Sequence, residues 1–422
     1  MANSNSEFIK EITARGFIHQ ATDIDNLDKL LDNQKKVPGY IGFDCTAPSL
    51  HVGSLIQIML LRWYQKCGHT PIVLIGGGTT LIGDPSGKDE SRKLLTNEII
   101  KENTAGIKNV FKKFIKFEQA NNSALIINNS EWLTKLNYIN FLRDFGKHFS
   151  INRMLGFDSV KLRLDREQPL SFLEFNYMIL QAYDFHELNK RYGCQLQMGG
   201  SDQWGNIING VELHRRVSDN ENKTLYGLTS PLITTSSGSK MGKTAKGAIW
   251  LNQDLCSPWD YWQFWRNTED QDVIKFIKLF TEIEFNEIEK LQRLKGSEIN
   301  DAKIILADAA TKLLHGEKFA KEAKETANNL FNNEQVDANL PTIEISSEEL
   351  NLGVPILDCF IKNNYLVKSK GDARRLIRGK GAKLNDEIIT DENYILSQGD
   401  FNNKKEIKLS AGKKRHVLIK RT

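Results

Sequence analysis

Short apolar runs alternate with longer amphipathic stretches along the first half of the chain. Tyr40–Phe43, Pro71–Ile75 and Ala124–Ile127 are rich in Ile, Val, Leu or aromatic residues and predict buried strands. Leu55–Cys67 and Thr96–Phe114 between them have helical character, and a further helix is predicted over Ser171–Phe185. A short strand, Gln195–Met198, follows, and a helix starts at Asp202 and runs to about Arg216. Strand, helix, strand in this rhythm predicts an α/β fold with a doubly wound, Rossmann-like parallel sheet whose ligands sit at the carboxyl ends of the strands.

The pattern changes after residue 235. From Pro258 to Leu330 it is helical throughout, and Trp259, Trp262 and Trp265 recur every three residues, a stripe that reads as core. Glu334–Leu350 is polar, contains a proline and lacks periodicity, which reads as a linker. Pro355–Thr422 is a compact basic module. The expected organisation is a nucleotide-binding domain over 1–235, a helical domain over 236–332, a linker over 333–351 and a small α+β module over 352–422.

Composition narrows the class. With 422 residues and 40% apolar side chains the chain fills real cores. A net charge of +4 makes any nucleic-acid surface local. Five scattered cysteines, Cys45, Cys67, Cys194, Cys256 and Cys359, with no C-x-x-C pair, speak against a disulfide framework or a structural zinc site. No apolar run approaches the ~20 residues that span a bilayer, and the first residues lack a basic-then-apolar leader pattern. A cytoplasmic enzyme without a bound metal is expected.

Two segments about 190 residues apart carry the most specific chemistry. His51-Val52-Gly53-Ser54 follows a predicted strand and opens a predicted helix, where unpaired N–H groups and the helix dipole attract phosphate. Lys240-Met241-Gly242-Lys243-Thr244 is a glycine-containing loop with two lysines three apart, suited to neutralising polyphosphate, although its polar flanks also fit a solvated loop. It is no P-loop, because Ser237 stands where the first glycine belongs, and Gly76-Gly77-Gly78 lacks dinucleotide-fingerprint spacing. Tyr177, Gln181 and Asp184, four and three apart, share one face of an otherwise apolar helix, and three polar groups there are costly unless they meet a polar ligand.

The two segments, in this order, resemble the nucleotide-handling motifs of class I aminoacyl-tRNA synthetases. The run from Tyr40 to Ser54, with its Gly42-Phe43-Asp44 and Thr46-Ala47, is similar to the bacterial tyrosyl-tRNA synthetase family. Gly83-Asp84-Pro85-Ser86-Gly87-Lys88 with Arg92, and Gln197 to Asn206 through Gly199-Gly200-Ser201-Asp202-Gln203-Trp204, extend the likeness over nearly the whole chain. It implies activation of tyrosine by ATP, then transfer to the terminal adenosine of tRNA(Tyr). Thr46, His51, Lys88, Arg92, Lys240, Lys243 and Thr244 would stabilise the departing pyrophosphate. Tyr40, Asp84, Tyr177, Gln181, Asp184, Gln197 and Gln203 would hold tyrosine, with Asp184 and Tyr40 on its hydroxyl. Gly42, Asp44, His51, Gly53, Ser54, Gly200, Asp202 and Lys243 would hold ATP, with Mg2+ accompanying it. Ser54 departs from the family, which has a second histidine there.

Bland readings stand beside these: Asp84-Pro85-Ser86-Gly87 is also good turn chemistry, and Ser201 or Asp202 also suits a helix N-cap. In the C-terminal module Lys368, Lys370, Arg374, Arg375, Arg378, Lys380 and Lys383 place seven bases within sixteen residues around the single acid Asp372, and Lys413, Lys414 and Arg415 add to them. This resembles an S-four-type RNA-binding domain and implies contact with tRNA. Family members are homodimers; Asn140–Phe149, with Phe141, Leu142, Phe145 and Phe149, lies where the interface is expected. Two rivals remain open at this point: a tryptophanyl enzyme of the same fold, and an RNA-binding scaffold that lost catalysis.

Overall fold

The computed structural model describes residues 4–86, 95–118, 120–218, 224–236, 238, 241–244, 247–332, 340–401, 405–412 and 415–422. Lys88, Arg92, Lys240, Lys413 and Lys414 lie outside the described residues. Two compact units divide the chain, residues 1–320 and 321–422.

The first unit is built on six strands: β1 (Gln20–Ala21), β2 (Pro38–Asp44), β3 (Thr70–Gly76), β4 (Leu125–Asn128), β5 (Leu196–Gly200) and β6 (Tyr226–Ser230). Their order across the sheet is β1-β6-β5-β2-β3-β4. All pairings are parallel except the edge strand β1, which runs antiparallel to β6. The chain therefore winds outward one way from β2 through β3 to β4 and the other way from β5 to β6. The switch point lies between β2 and β5, where Tyr40 is in register with Gln197.

Burial on both faces explains the apolar strands. Every residue of β3 after Thr70 is buried. One face is covered by helices Tyr177–Tyr192 and Trp204–Val217, with Phe185, Leu188 and Leu213 in the core. The other is covered by α3 (Leu55–Lys66), which follows α1 (Glu7–Arg15) and α2 (Ile24–Asn33) along the chain and has eight of its twelve residues buried. Each such apolar side chain stabilises the fold by about 1.5–3 kcal/mol. Thr96 caps α4 (Asn97–Phe114) by accepting from the Ile99 N–H, and the predicted helix 171–185 is two helices, Phe172–Phe175 and Tyr177–Tyr192, turning at Asn176.

The helical region from Pro258 to Ala320 belongs to the same unit, held by side chains that reach it from the first helices. The buried Arg15 guanidinium donates to the carbonyls of Lys278, Thr281 and Ile283 and lies 4.2 Å over the Trp63 ring. Arg62 and Lys66 on α3 both pair with Glu282. The tryptophan stripe is core at Trp262 and Trp265, and Trp262 donates to Asp308 at 2.8 Å. All five cysteines are free; four are buried and Cys67 is partly so.

The second unit holds a five-stranded sheet in the order Glu387–Ile388, Ala382–Leu384, Glu406–Ala411, Arg415–Arg421, Thr342–Ile345. Its core includes Ile356, Phe360, Ile377, Leu409 and Val417. Here the sequence reading of 333–351 as a linker is corrected over 342–351; residues 333–339 lie outside the described residues. Thr342–Ile345 pairs parallel with the end of the chain, and Ser346 and Glu349 form a capping box on helix Ser347–Leu352. A four-residue strand whose partner lies some 75 residues away leaves no periodicity to read.

Of the four apolar residues expected at an interface, Leu142 is exposed, whereas the three phenylalanines pack inward. Phe141 is buried, and it and Phe145 turn inward with ring centroids 5.3 and 4.8 Å from Tyr183; Phe149 also packs on that core. Exposed apolar side chains in this region include Tyr138, Ile139, Leu142, Ile151, Leu162 and Phe172.

Candidate active site

The switch point opens into a cleft of about 340 Å³, within the range of small-molecule sites. It is lined by the carboxyl ends of β2 and β5, the start of α3 and the helix Tyr177–Tyr192. Thr46, His51, Gly53 and Ser54 line one end, and Tyr40, Tyr177, Asp184 and Gln197 line the other.

The two motifs separated in sequence touch through their backbones. The Val52 N–H donates to the Ile249 carbonyl at 2.9 Å, and Ile249 N–H to the Gly242 carbonyl at 3.0 Å. Gly242 has φ +80, and a Cβ there would sit 3.0 Å from the Gly53 nitrogen. A Cβ on Gly53 would in turn strike the His51 ring and the Met241 carbonyl. Both glycines are thus required for the lysine loop to lie against the start of α3, where unpaired N–H groups favour phosphate. Lys243 and Thr244 fall on the short strand of this loop.

His51 is held by its own turn, its Nδ1 accepting from the Gly53 N–H at 2.9 Å. A neutral ring with Nδ1 as acceptor carries its proton on Nε2, leaving that N–H as the donor. Ser54 makes no capping bond with its side chain and lines the cleft.

At the other end, hydrogen bonds run between two carboxylates. Asp184, 1% exposed, accepts from Trp132 Nε1 at 2.7 Å and from Asn129 Nδ2 at 2.9 Å. Asn129 Nδ2 also donates to Thr79 Oγ1 at 3.0 Å, Thr79 donates to Asp44 at 2.7 Å, and the Tyr177 hydroxyl donates to Asp44 at 3.0 Å. Burial pushes the Asp184 carboxyl up to about 7, against the opposing pull of Asn129 and Trp132. Burial likewise raises the Tyr40 and Tyr177 phenols well above their ordinary range, with Asp184 adding to the shift of Tyr40. The Tyr40 hydroxyl and the Gln197 Oε1 are buried in this end with no hydrogen-bond partner among the described residues. Such orphaned polar atoms are costly unless a ligand completes them.

A second group closes the side. Gln203 Nε2 donates to Asp84 at 2.9 Å, and Asn206 Nδ2 donates to both Gln203 Oε1 at 3.1 Å and Gln181 Oε1 at 3.0 Å. Asp84 is itself set by an Asx turn, accepting from the Ser86 N–H at 2.9 Å. Asp202 and Gly200 line the cleft beside them, and a Cβ on Gly200 would lie 2.5 Å from the Asp202 carboxylate. That glycine is needed by the protein itself. Gly42 differs: a Cβ there meets nothing within 4 Å, so the space it leaves faces the open cleft.

The structure therefore brings together Tyr40, Gly42, Asp44, Thr46, His51, Gly53, Ser54, Asp84, Tyr177, Gln181, Asp184, Gln197, Gly200, Asp202 and Gln203 as lining of one cleft. Asp44, read from sequence as an ATP contact, sits with Thr79 and Tyr177. Thr79, Asn129 and Trp132 are absent from the sequence reading, and Asn206 stands in its Gln197–Asn206 run without a role of its own. Asn129 stands just past the carboxyl end of β4, the position where such sheets place ligand groups, and that rule was the available signal.

In the second unit Lys368, Lys370, Arg374, Arg375, Arg378 and Lys380 are exposed around helix Lys370–Arg378, while Lys383 and Arg415 are half-buried and Arg415 donates to the Leu366 carbonyl. Several are already paired: Lys370 with Asp358, Arg375 with Asp372, and both Arg374 and Arg378 with Glu392.

Comparison with known proteins agrees with this geometry. The family described as tRNA synthetases class I (W and Y) matches residues 32–332. A tyrosine–tRNA ligase of Rickettsia typhi is 56% identical over 98% of this chain and 99% of its own, and one from Rhodospirillum rubrum is 57% identical over 100% and 99%. The crystal structure of a C-terminally truncated mitochondrial tyrosyl-tRNA synthetase from Aspergillus nidulans superposes with a TM-score of 0.68 at 32% identity, covering 77% of this chain and 94% of that one. With its paired motifs folded against one another at the switch point of the sheet, the chain belongs to the class I tRNA synthetases.

Proposed function

We infer that the chain is a tyrosine–tRNA ligase, and the observation that carries the choice of amino acid is the unpartnered Tyr40 hydroxyl near the Asp184 carboxylate in the cleft. A phenol both donates and accepts: it donates to Asp184 and accepts from Tyr40, completing both. An indole N–H only donates and leaves the Tyr40 hydroxyl unpaired, which disfavours a tryptophanyl enzyme. Phenylalanine leaves the Tyr40 hydroxyl unpaired and the buried Asp184 carboxylate with its Asn129 and Trp132 donors alone, the kind of rejection for which tyrosyl-tRNA synthetases are themselves the known example.

With the side chain fixed there, the tyrosine ammonium falls among Asp84, Tyr177 and Gln181, and its carboxylate points toward the start of α3. One carboxylate oxygen attacks the α-phosphorus of ATP, the bond to the bridging oxygen breaks, and pyrophosphate leaves as tyrosyl-adenylate forms. The 2′- or 3′-hydroxyl of the terminal adenosine of tRNA(Tyr) then attacks the acyl carbon and releases AMP. No conspicuous general base is needed for the first step; positioning and charge stabilisation supply most of the rate. His51 Nε2–H, Thr46, Lys243 and Thr244 serve the departing pyrophosphate, with Lys88, Arg92 and Lys240 joining them. Gly42, Gly53, Ser54, Gly200 and Asp202 receive the adenosine. Mg2+ enters with ATP on its phosphates.

The exposed bases of the second unit contact the tRNA backbone, and Lys413 and Lys414 are assigned to the same contact from the sequence. The apolar face from Tyr138 to Phe172 supports a homodimer, and a bacterial-type enzyme of this kind works in the cytoplasm. The interlocked cleft also favours catalysis over a scaffold role, which has no use for buried, ligand-directed polar atoms. Amino-acid-dependent ATP–pyrophosphate exchange across the twenty amino acids tests the reading: exchange with tyrosine alone supports it, and exchange driven by tryptophan or by none contradicts it.

A further inference from the structure

The helix Lys370–Arg378 carries Lys370, Arg374 and Arg378 at four-residue spacing, so the three form one stripe. On such a stripe the bases are expected to point at solvent and await phosphate. Instead one carboxylate, Glu392, spans the last two. Its Oε1 meets Arg378 Nε, and its Oε2 lies 3.3 Å from Arg378 Nη2 and 3.7 Å from Arg374 Nε. Among the described residues of this helix face, Asp358 and Asp372 each pair with a single base, Lys370 and Arg375, whereas Glu392 bridges two.

The loop that delivers Glu392 is fixed. Asp391 accepts from the Asn393 N–H at 2.9 Å, the Tyr394 carbonyl accepts from the Ile356 N–H at 2.9 Å, and the Tyr394 hydroxyl donates to Asp400. The carboxylate is about three-quarters buried, whereas Arg378 is 70% and Arg374 49% exposed. A two-oxygen anion held between two guanidiniums one helical turn apart uses the same N–H donors that would grip a backbone phosphate.

We propose that Glu392 is an internal stand-in for phosphate, which holds Arg374 and Arg378 as a preformed cradle and competes with RNA for it. This rests on reading the basic face as the tRNA contact, and it deepens that reading by naming the residue that sets the strength of the contact. Exposed ion pairs are weak, so an RNA phosphate displaces the carboxylate, at the cost of the pair. While Glu392 neutralises the two arginines they neutralise less phosphate charge, so fewer counterions leave the RNA on binding, which flattens the salt dependence.

The test is tRNA binding by the full-length chain over a range of salt concentrations. Glu392→Gln keeps the shape and removes the charge. It is expected to bind tRNA roughly two- to fivefold more tightly at low salt, the size of an exposed ion pair. Its salt slope should be steeper by up to about one unit. In an Arg374→Ala/Arg378→Ala background the same change should do nothing. Glu387→Gln alters net charge equally on the same unit and should leave affinity near that of the parent.

Unchanged or weaker binding by Glu392→Gln, with the arginine variants still weakening binding, overturns the stand-in role and leaves the RNA face intact. A gain matched by Glu387→Gln also overturns it, because net charge then explains the effect. If neither arginine variant weakens binding, the face itself is misassigned and the proposal falls with it.

Discussion

The cleft of the first unit and the basic helix of the second both present ionisable side chains to a ligand, but they are built oppositely. In the cleft, Asp184 is 1% exposed and is reached by Asn129 and Trp132 from more than fifty residues away. On the helix Lys370–Arg378 the bases are exposed and pair with acids three to about eighteen residues away. Buried, interlocked groups carry full desolvation penalties, whereas exposed pairs are screened and contribute little each. The cleft should fail steeply and regardless of salt. The helix should fail gradually, and its effects should fade as salt rises.

Truncation exposes the contrast most sharply. A chain ending at Asn332 removes the second unit's sheet and leaves the cleft whole, so tyrosine-dependent pyrophosphate exchange should continue while charging of tRNA at ordinary concentrations is lost. Equal charging by the short and full chains would remove the second unit from the mechanism. Next in size is His51→Ala. Loss of a donor to developing charge is expected to slow adenylate formation about 10²–10³-fold, with little change in tyrosine affinity. Pre-steady-state kinetics separate the two quantities, and a defect confined to tyrosine binding would contradict the phosphate role.

A smaller effect concerns pH. Burial sets the Asp184 carboxyl near 7, and a protonated carboxyl loses an acceptor for the substrate hydroxyl. Tyrosine affinity should therefore be full above that pH and fall as pH drops through it, approaching tenfold per unit well below. Trp132→Phe removes a hydrogen bond that lowers this pKa, so the inflection should move to higher pH; titrating the KM for tyrosine from pH 6 to 8.5 reads both. The smallest effect belongs to the helix: Arg374→Ala or Arg378→Ala should each flatten the salt slope of tRNA binding by up to about one unit, with no change in pyrophosphate exchange.

How much of this was legible in the sequence follows the same division. Strands Tyr40–Phe43 and Pro71–Ile75 were readable because burial on both faces leaves continuous apolar runs. Tyr177, Gln181 and Asp184 were readable because helical spacing aligns them. Asn129, Trp132 and Thr79 were not, since their role comes from where β3 and β4 end and from contacts that no local pattern encodes. The strand Thr342–Ile345 was hidden for the same reason, its partner lying at the far end of the chain. Ser346 and Glu349 were the signal there, a capping box that local inspection can find. Phe141 and Phe145 show the reverse error: apolar residues in the expected place for an interface, turned inward by packing on Tyr183.

The account stands on Tyr40 and Asp184 as the pair that selects a phenol, and the ratio of kcat/KM for tyrosine to that for phenylalanine in pyrophosphate exchange measures this directly. For the parent chain the ratio should strongly favour tyrosine. For Asp184→Asn, where an amide meets the Trp132 and Asn129 donors, and for Tyr40→Phe, tyrosine activation should fall while phenylalanine activation does not, so the ratio shrinks. Each single change is expected to cost tyrosine about 10- to 100-fold, the penalty of leaving a buried polar partner unmet. A ratio that survives both substitutions in a folded protein would contradict the assignment and place recognition of the hydroxyl elsewhere.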